Sequence, residues 1–224
     1  MKQVLFLIPL LLISMGISGQ NLPFSMTVNA GLNISDMDIQ YLKSNPQAGF
    51  KGNVTLEYNL PNKFFLQTGL EYTNKGAKSD NKFKLINAEG QTVTNNTLKE
   101  KYDTHYLAIP LMGGYRLDVS DKVRMNLSLG PYFAYGVGGK SKIYGGLPFS
   151  YETNSTQDIS SLHEVNSFDI FRRFDMGLEG NVGIEYFRYL LNVGYEYGFI
   201  NQFKKGDLSS YNMNLFVTLG LRIF

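Results

Sequence analysis

Apolar and polar side chains alternate with a period of two along most of this chain, and that period predicts strands. In RYLLNVGYEYGFINQF, residues 188–203, Tyr189, Leu191, Val193, Tyr195, Tyr197 and Phe199 share one face, while Asn192, Gly194, Glu196 and Gly198 share the other. The same parity runs through residues 24–35, 50–60, 64–73, 105–117, 123–137, 174–186 and 211–224, which makes eight predicted strands. Short breaks fall at 61–62, 118–122 and 187–188, and long connections at 35–49, 73–104, 138–173 and 200–210.

Most of these segments are about 10–14 residues, longer than the roughly 5–6 typical of soluble proteins and long enough for a tilted strand to cross a bilayer. Short turns alternating with long loops are the plan of an outer-membrane barrel with both termini on the periplasmic side. The apolar face therefore meets lipid, and aromatic placement supports this. Phe24, Tyr58, Phe64, Tyr115, Tyr186 and Tyr189 fall at its short-turn end, and Phe50, Tyr72, Phe133, Tyr135, Phe174, Tyr197, Phe199 and Tyr211 at its long-loop end. Two such girdles suit the headgroup levels, where a ring is half buried and a phenol stays wet. The predicted fold is an all-β, eight-stranded antiparallel up-and-down transmembrane β-barrel.

The first residues carry a charge at Lys2, an apolar run from Val4 to Ile13 and then small residues, the layout of a secretory signal peptide. The run is too short to span a membrane as a helix. Cleavage is expected after Ser18 or Gly19, leaving residues 20–224 as one barrel domain. No cysteine is present, so neither a disulfide nor a lipid anchor on an N-terminal cysteine is available. A net charge of +2 gives no nucleic-acid surface. Tyr (15), Phe (16) and Gly (23) are abundant, the mixture of a glycine-punctuated, aromatic-anchored β protein.

The inward parity carries Lys51, Glu57, Glu71, Arg116, Arg124, Asp175, Glu179, Glu185, Glu196 and Arg222. Eight strands enclose a lumen that side chains fill, and charges confined there need partners. The expectation is an ion-pair network that plugs the barrel and fixes register; the alternative is a small polar pore or proton-coupled site. No catalytic residue, metal ligand set or cofactor site is expected. The two histidines, His105 and His163, lie far apart, and no GxSxG or phosphate-binding loop occurs. Gly136 to Gly139 read as a flexible exit from the membrane.

Loops 73–104 and 138–173 are the candidate contact surfaces for a protein partner. The second contains Tyr144, Leu147, Phe149, Tyr151, Leu162 and Phe168, which either mark a contact surface or pack onto the barrel mouth. Outer-membrane lipid and lipopolysaccharide are the other expected partners, with Arg172 and Arg173 placed to pair with phosphate. The barrel is expected to be monomeric.

YLAIPLMGGYRL, LGPYFAYGVGGK, FDMGLEGNVGIEYFRYLLNVGYEYGFIN and the closing LGLRIF together resemble the Bacteroidota outer-membrane β-barrel family that includes PorT-type, porin-like proteins. The resemblance covers nearly all of residues 20–224 and implies an integral outer-membrane barrel with a structural or interaction role, linked in PorT-type members to type IX secretion. A narrow porin-like channel is the second reading and a lipid-modifying outer-membrane enzyme the third. Two positions depart from the pattern. Ala108 stands where an acidic residue often precedes Ile-Pro, and Ile223 moves Phe224 to inward parity.

Overall fold

The computed structural model describes residues 23–39, 44–86, 92–144, 163–204 and 209–224. Residues 1–22 and 145–162, including Leu147, Phe149, Tyr151 and Leu162, lie outside them. Eight long strands form a closed antiparallel barrel: β1 (Phe24–Ile39), β2 (Asn45–Asn59), β3 (Phe64–Ile86), β4 (Thr92–Ser120), β5 (Val123–Gly138), β8 (Phe174–Tyr186), β9 (Tyr189–Gly198) and β10 (Ser210–Arg222). Neighbours in sequence are neighbours in the wall, and β10 closes on β1 from Thr27↔Arg222 to Ile39↔Ser210. The seam is finished by Met26 N–H donating to Phe224 O at 3.0 Å and Ile223 N–H to Met26 O at 2.8 Å. With no free edge around the ring, backbone polar groups are paired within the wall.

Burial follows the period. Leu32 is 69% exposed, Leu129 63% and Leu219 69%, whereas Lys51, Asp175 and Thr73 are fully buried. Apolar groups cover the outside and polar groups fill the inside, the reverse of a soluble sandwich. Met26 departs from this: it has outward parity but is buried.

Turns at the terminus-bearing end are tight. Pro61–Lys63 form a 3-10 turn with Asn62 and Lys63 at positive φ. The β4–β5 turn needs only residues 121–122, so β4 runs through most of the predicted 118–122 break. Tyr186 pairs with Tyr189 across a two-residue turn.

The opposite end corrects the long loops. Segments 35–49 and 73–104 are largely strand: β1 reaches Ile39, β2 begins at Asn45, β3 reaches Ile86 and β4 begins at Thr92. The β2–β3 ladder stops at Asn45↔Lys78, but β3 and β4 stay paired up to Ile86↔Thr92, so this hairpin rises above the ring. Segment 138–173 contains β6 (Lys140–Tyr144), β7 (His163–Asn166) and the single-turn helix α1 (Ser167–Ile170). β6 adds to the free edge of β4 at Lys99–Lys101, and β7 adds to β6. Strand physics persists there because each added strand pairs edge groups that would otherwise be open.

Gly139 separates β5 from β6 at φ +146°, and a Cβ there would lie 2.2 Å from the Asp103 carbonyl oxygen. Only glycine fits that backbone and that approach. The expected flexible exit is thus a defined kink between two strands.

Candidate functional site

The inward residues gather into two charged layers. Nearer the short turns, Arg116 of β4, Arg124 of β5 and Arg222 of β10 converge on Glu57 of β2 and Glu185 of β8. Arg222 grips both oxygens of Glu185, from Nε and Nη2 at 2.8 Å each, and donates from Nη1 to Glu57 at 2.9 Å and to Ser25 Oγ at 2.6 Å. Arg116 Nη2 donates to Glu57 at 2.7 Å, and its other nitrogens reach Asn59 and Asn126 at 2.8 and 2.9 Å. Arg124 pairs with Glu185. A planar guanidinium with several fixed donors can bridge acids on different strands, so three arginines tie the wall across its interior.

The second layer lies towards the long-strand end. Lys51 Nζ sits among Glu71 at 2.8 Å, Glu179 at 3.4 Å and Glu196, and lies 3.7 Å from the centre of the Phe216 ring. Lys75 Nζ is 2.8 Å from Glu196 and 3.5 Å from Asp175, and 4.4 Å from the Tyr132 ring centre. Asp175 also accepts from Tyr132 Oη, Gln202 Nε2 and Asn212 Nδ2, at 3.1, 3.1 and 2.9 Å. Carboxylate oxygens of Glu71, Glu179 and Glu196 come within 4.8 Å of one another, spacing a metal ion could use. The Lys51 ammonium pairs with all three and takes the position such an ion would need. Between the layers is a cavity of about 30 Å³, lined by Asn29, Asn53, Glu57, Glu71, Glu179 and Asn181 among others.

An apolar cap closes the far end. Phe168 and Phe171, from α1 and the residue after it, are buried with Met37, Ala77, Tyr102, Tyr106, Ala108, Tyr132 and Ala134. Asn166 Oδ1 accepts from Phe168 N at 2.9 Å and starts the turn. Gly136 seats the ring, since a Cβ there would fall 2.0 Å from Phe168 Cζ. Of the two readings of the aromatics in loop 138–173, Phe168 takes the one in which it packs onto the mouth. Arg173 lies 4.8 Å from that ring and donates to Gly136 O, and Arg172 donates to Phe203 O, so both side chains brace the cap.

All ten inward charges named from parity meet in these layers. Lys75, Tyr106, Tyr132, Gln202, Asn212 and Phe216 belong with them but were missed. The signal for Lys75 was present in the inward series Glu71, Thr73, Lys75, which continues into the segment taken as loop. Of the girdle residues, Phe24 and Tyr58 have ring centres 5.0 Å apart, as do Phe64 and Tyr115; Phe50–Tyr72 and Tyr197–Phe199 stand at 6.4 and 6.0 Å at the other end. Tyr135 (57%), Tyr186 (52%) and Tyr189 (68%) are exposed on the outer wall, and Phe133 and Tyr211 lie on the same wall. His105 Nδ1 lies 2.7 Å from the Tyr72 hydroxyl and 2.9 Å from Asn74 Nδ2 on the outer wall, away from both charged layers. His163 opens β7, and its side chain is outside the described residues.

The model of the outer membrane protein beta-barrel domain family matches residues 18–204. The chain belongs to that family. This outer-membrane barrel matches no curated protein. Solved structures similar to it include Ail of Yersinia pestis in complex with the heparin analogue sucrose octasulfate, at 15% identity and TM-score 0.41, covering 89% of this chain and 98% of that one. OprG of Pseudomonas aeruginosa is 12% identical with TM-score 0.48, covering 88% and 95%, and Neisserial surface protein A is 15% identical with TM-score 0.41, covering 89% and 96%.

Proposed function

We propose that this outer-membrane barrel is a monomeric, non-enzymatic structural and interaction component, which presents its long-strand end outside the cell. In this reading residues 1–19 are a cleaved signal peptide, both termini of the barrel are periplasmic and the two aromatic girdles sit at the headgroup levels. The ion-pair network acts as an internal plug that fixes strand register, and lipopolysaccharide surrounds the outer wall.

The carrying observation is that the lumen is filled in successive layers by arginine–glutamate pairs, lysine–carboxylate pairs and an aromatic cap, while the wall continues above the cap as β3, β4, β6 and β7. A stationary channel would need a continuous wet path, and a cavity of about 30 Å³ holds one or two waters. That favours an interaction role over the channel reading. Among the described residues, His105 stands on the outer wall with Tyr72 and Asn74 as its hydrogen-bond partners rather than a serine or a carboxylate, which gives the lipid-modifying reading little to build on. Resemblance to PorT-type proteins makes secretion machinery of the outer membrane the partner class.

The test is cross-linking in intact cells, comparing the whole protein with a variant in which residues 80–98 are replaced by a short turn. That cut removes the raised hairpin but spares the cap and the β4–β6 pairing. A stoichiometric partner that disappears with the hairpin supports the proposal. Recovery of the barrel alone from both, together with a single-channel conductance that Lys51→Met changes, would replace it with the channel reading.

A further inference from the structure

Above the ring, three lysines stand directly across from one another on adjacent strands. Lys78 of β3 pairs in register with Lys101 of β4, and Lys101 with Lys142 of β6. Directly paired residues in a sheet project from the same face. On β3 this is the face that carries Tyr72 and Asn74, and on β4 the one that carries His105, so the row belongs to the outer wall. Lys99 lies two positions before Lys101 on the same face of β4, and Lys140 two positions before Lys142 on β6. Lys78, Lys99 and Lys140 are exposed, and Lys101 and Lys142 partly so.

Like charges directly opposite one another in a sheet are destabilising, so a row of three calls for counter-charge. Glu164 of β7 pairs with both Lys140 and Lys142, and one carboxylate balances only one of them. Asp103 shares the face of Lys101, with one carboxylate oxygen buried and unpartnered. Asp36 and Asp38 belong to β1, two strands away from β3. Asp80 of β3 stands in register with Lys99. Five lysines against three carboxylates leave this part of the face cationic. From Tyr72 to Lys78 is about 20 Å along the strand at ~3.3 Å per residue, or roughly 15 Å of height at a ~40° tilt. The row therefore stands roughly 15 Å above Tyr72, outside the girdle that marks the headgroup level and at the height of the glycolipid's sugars.

We infer that the row of Lys78, Lys101 and Lys142 is a binding site for the phosphate groups of lipopolysaccharide, with Lys99 and Lys140 flanking it. The chemistry required is a sugar-borne phosphate held beside the wall at that height, and the outer leaflet supplies it. Lysines on strands about 4.8 Å apart can bring their ammonium groups to shared phosphate oxygens, and the anion removes the repulsion along the row. This inference rests on the orientation proposed above, with the long-strand end outside.

The test uses the full detergent-solubilised barrel and purified lipopolysaccharide, with retention read by native mass spectrometry and salt titration. Wild type is expected to retain the glycolipid in a salt-sensitive way, and Lys78→Gln/Lys101→Gln/Lys142→Gln to bind it about tenfold more weakly, as expected for removing several exposed charge-assisted contacts. Heat-modifiable migration of the triple variant verifies that it has folded. Enzymatically dephosphorylated lipopolysaccharide is expected to bind wild type no better than the variant. Equal retention by wild type and variant, equal retention of dephosphorylated material, or no retention at all overturns the site. Orientation is read separately on intact cells, where the absence of native cysteine makes labelling clean: an impermeant maleimide should label Lys140→Cys, and Ser120→Cys only after permeabilisation. The reverse pattern overturns the orientation, and with it lipopolysaccharide as the ligand, even where the purified barrel binds phosphate.

Discussion

The two charged layers of the lumen solve one problem with different residues. At the short-turn end, three arginines meet two glutamates, and the layer remains partly open, with the Arg124 side chain 37% exposed. Deeper in, two fully buried lysines meet four carboxylates, with aromatic rings covering the ammonium groups. Arginine suits the first because its fork satisfies several acids on different strands while part of it stays hydrated. Lysine suits the second because a compact ammonium fits among three carboxylates and lies against a ring face. Each layer has a hub that several strands share, so the cost of losing a side chain should follow the number of partners it leaves behind.

Lys51→Met is the harshest way to break that relation. It strands Glu71, Glu179 and part of Glu196 in a dry layer, and the expected loss is about 3–5 kcal/mol, read as a fall in the thermal midpoint of heat-modifiable migration. A midpoint within experimental error of wild type would show that water enters the layer freely. Phe168→Ala comes next. It empties the seat above Gly136 and is expected to cost about 3 kcal/mol, seen mainly as faster amide exchange in α1 and the residues around it. Conductance should stay absent in this variant, because the lysine layer below the cap is intact; a steady current would locate the seal in the cap instead.

Arg222→Lys keeps the charge but loses the fork onto Glu185, for an expected loss of about 2 kcal/mol. If lysine matched arginine here, the distinction between the layers would fail. Glu179→Gln sharpens the contrast from the other side. Glu179 makes the longest of the three Lys51 contacts, at 3.4 Å, and sits where carboxylates outnumber lysines. Its removal is expected to change stability by less than about 1 kcal/mol, towards neutral or more stable; a loss equal to that of Lys51→Met contradicts the charge count.

The smallest effect lies outside the barrel. A hydrogen bond from Lys140 holds Glu164 below the usual carboxylate range, and the same bond raises Lys140. For the acid, stability is present above its unfolded value near ~4.3 and is lost as pH falls through the folded one; for the lysine, it is present below ~10.4 and is lost as pH rises through the raised value. Amide exchange at the β7 edge should therefore be slowest between those limits, once corrected for intrinsic rates, and faster on either side. A flat profile would mean that the β6–β7 pair does not depend on this bridge.

Where one face of a strand is apolar and the other polar, the chain shows its structure plainly. Leu107, Ile109, Leu111 and Leu117 point outward as their parity requires, and the ten inward charges fall in the two layers. Above the ring the outer face is wet, so residues such as Asn74, Lys78 and Lys101 break the alternation of hydrophobicity although the strand continues. For this reason 73–104 read as loop, and Lys75 was lost from the site with it. Tyr106, Tyr132 and Phe216 were lost for a different reason. They are aromatic residues on the polar face, and their partners, Lys51 and Lys75, come from other strands.

The sequence by itself determined the number of spanning strands, which face of each turns outward and which charges must find partners, because a period of two is a local property of the strand. Tertiary structure alone decided which arginine grips which glutamate, that Phe168 returns to close the mouth, and that β6 and β7 extend β4. Those contacts join residues up to 197 positions apart, as between Ser25 and Arg222. They follow from the stagger at which the sheet closes on itself, a quantity set by all eight strands together.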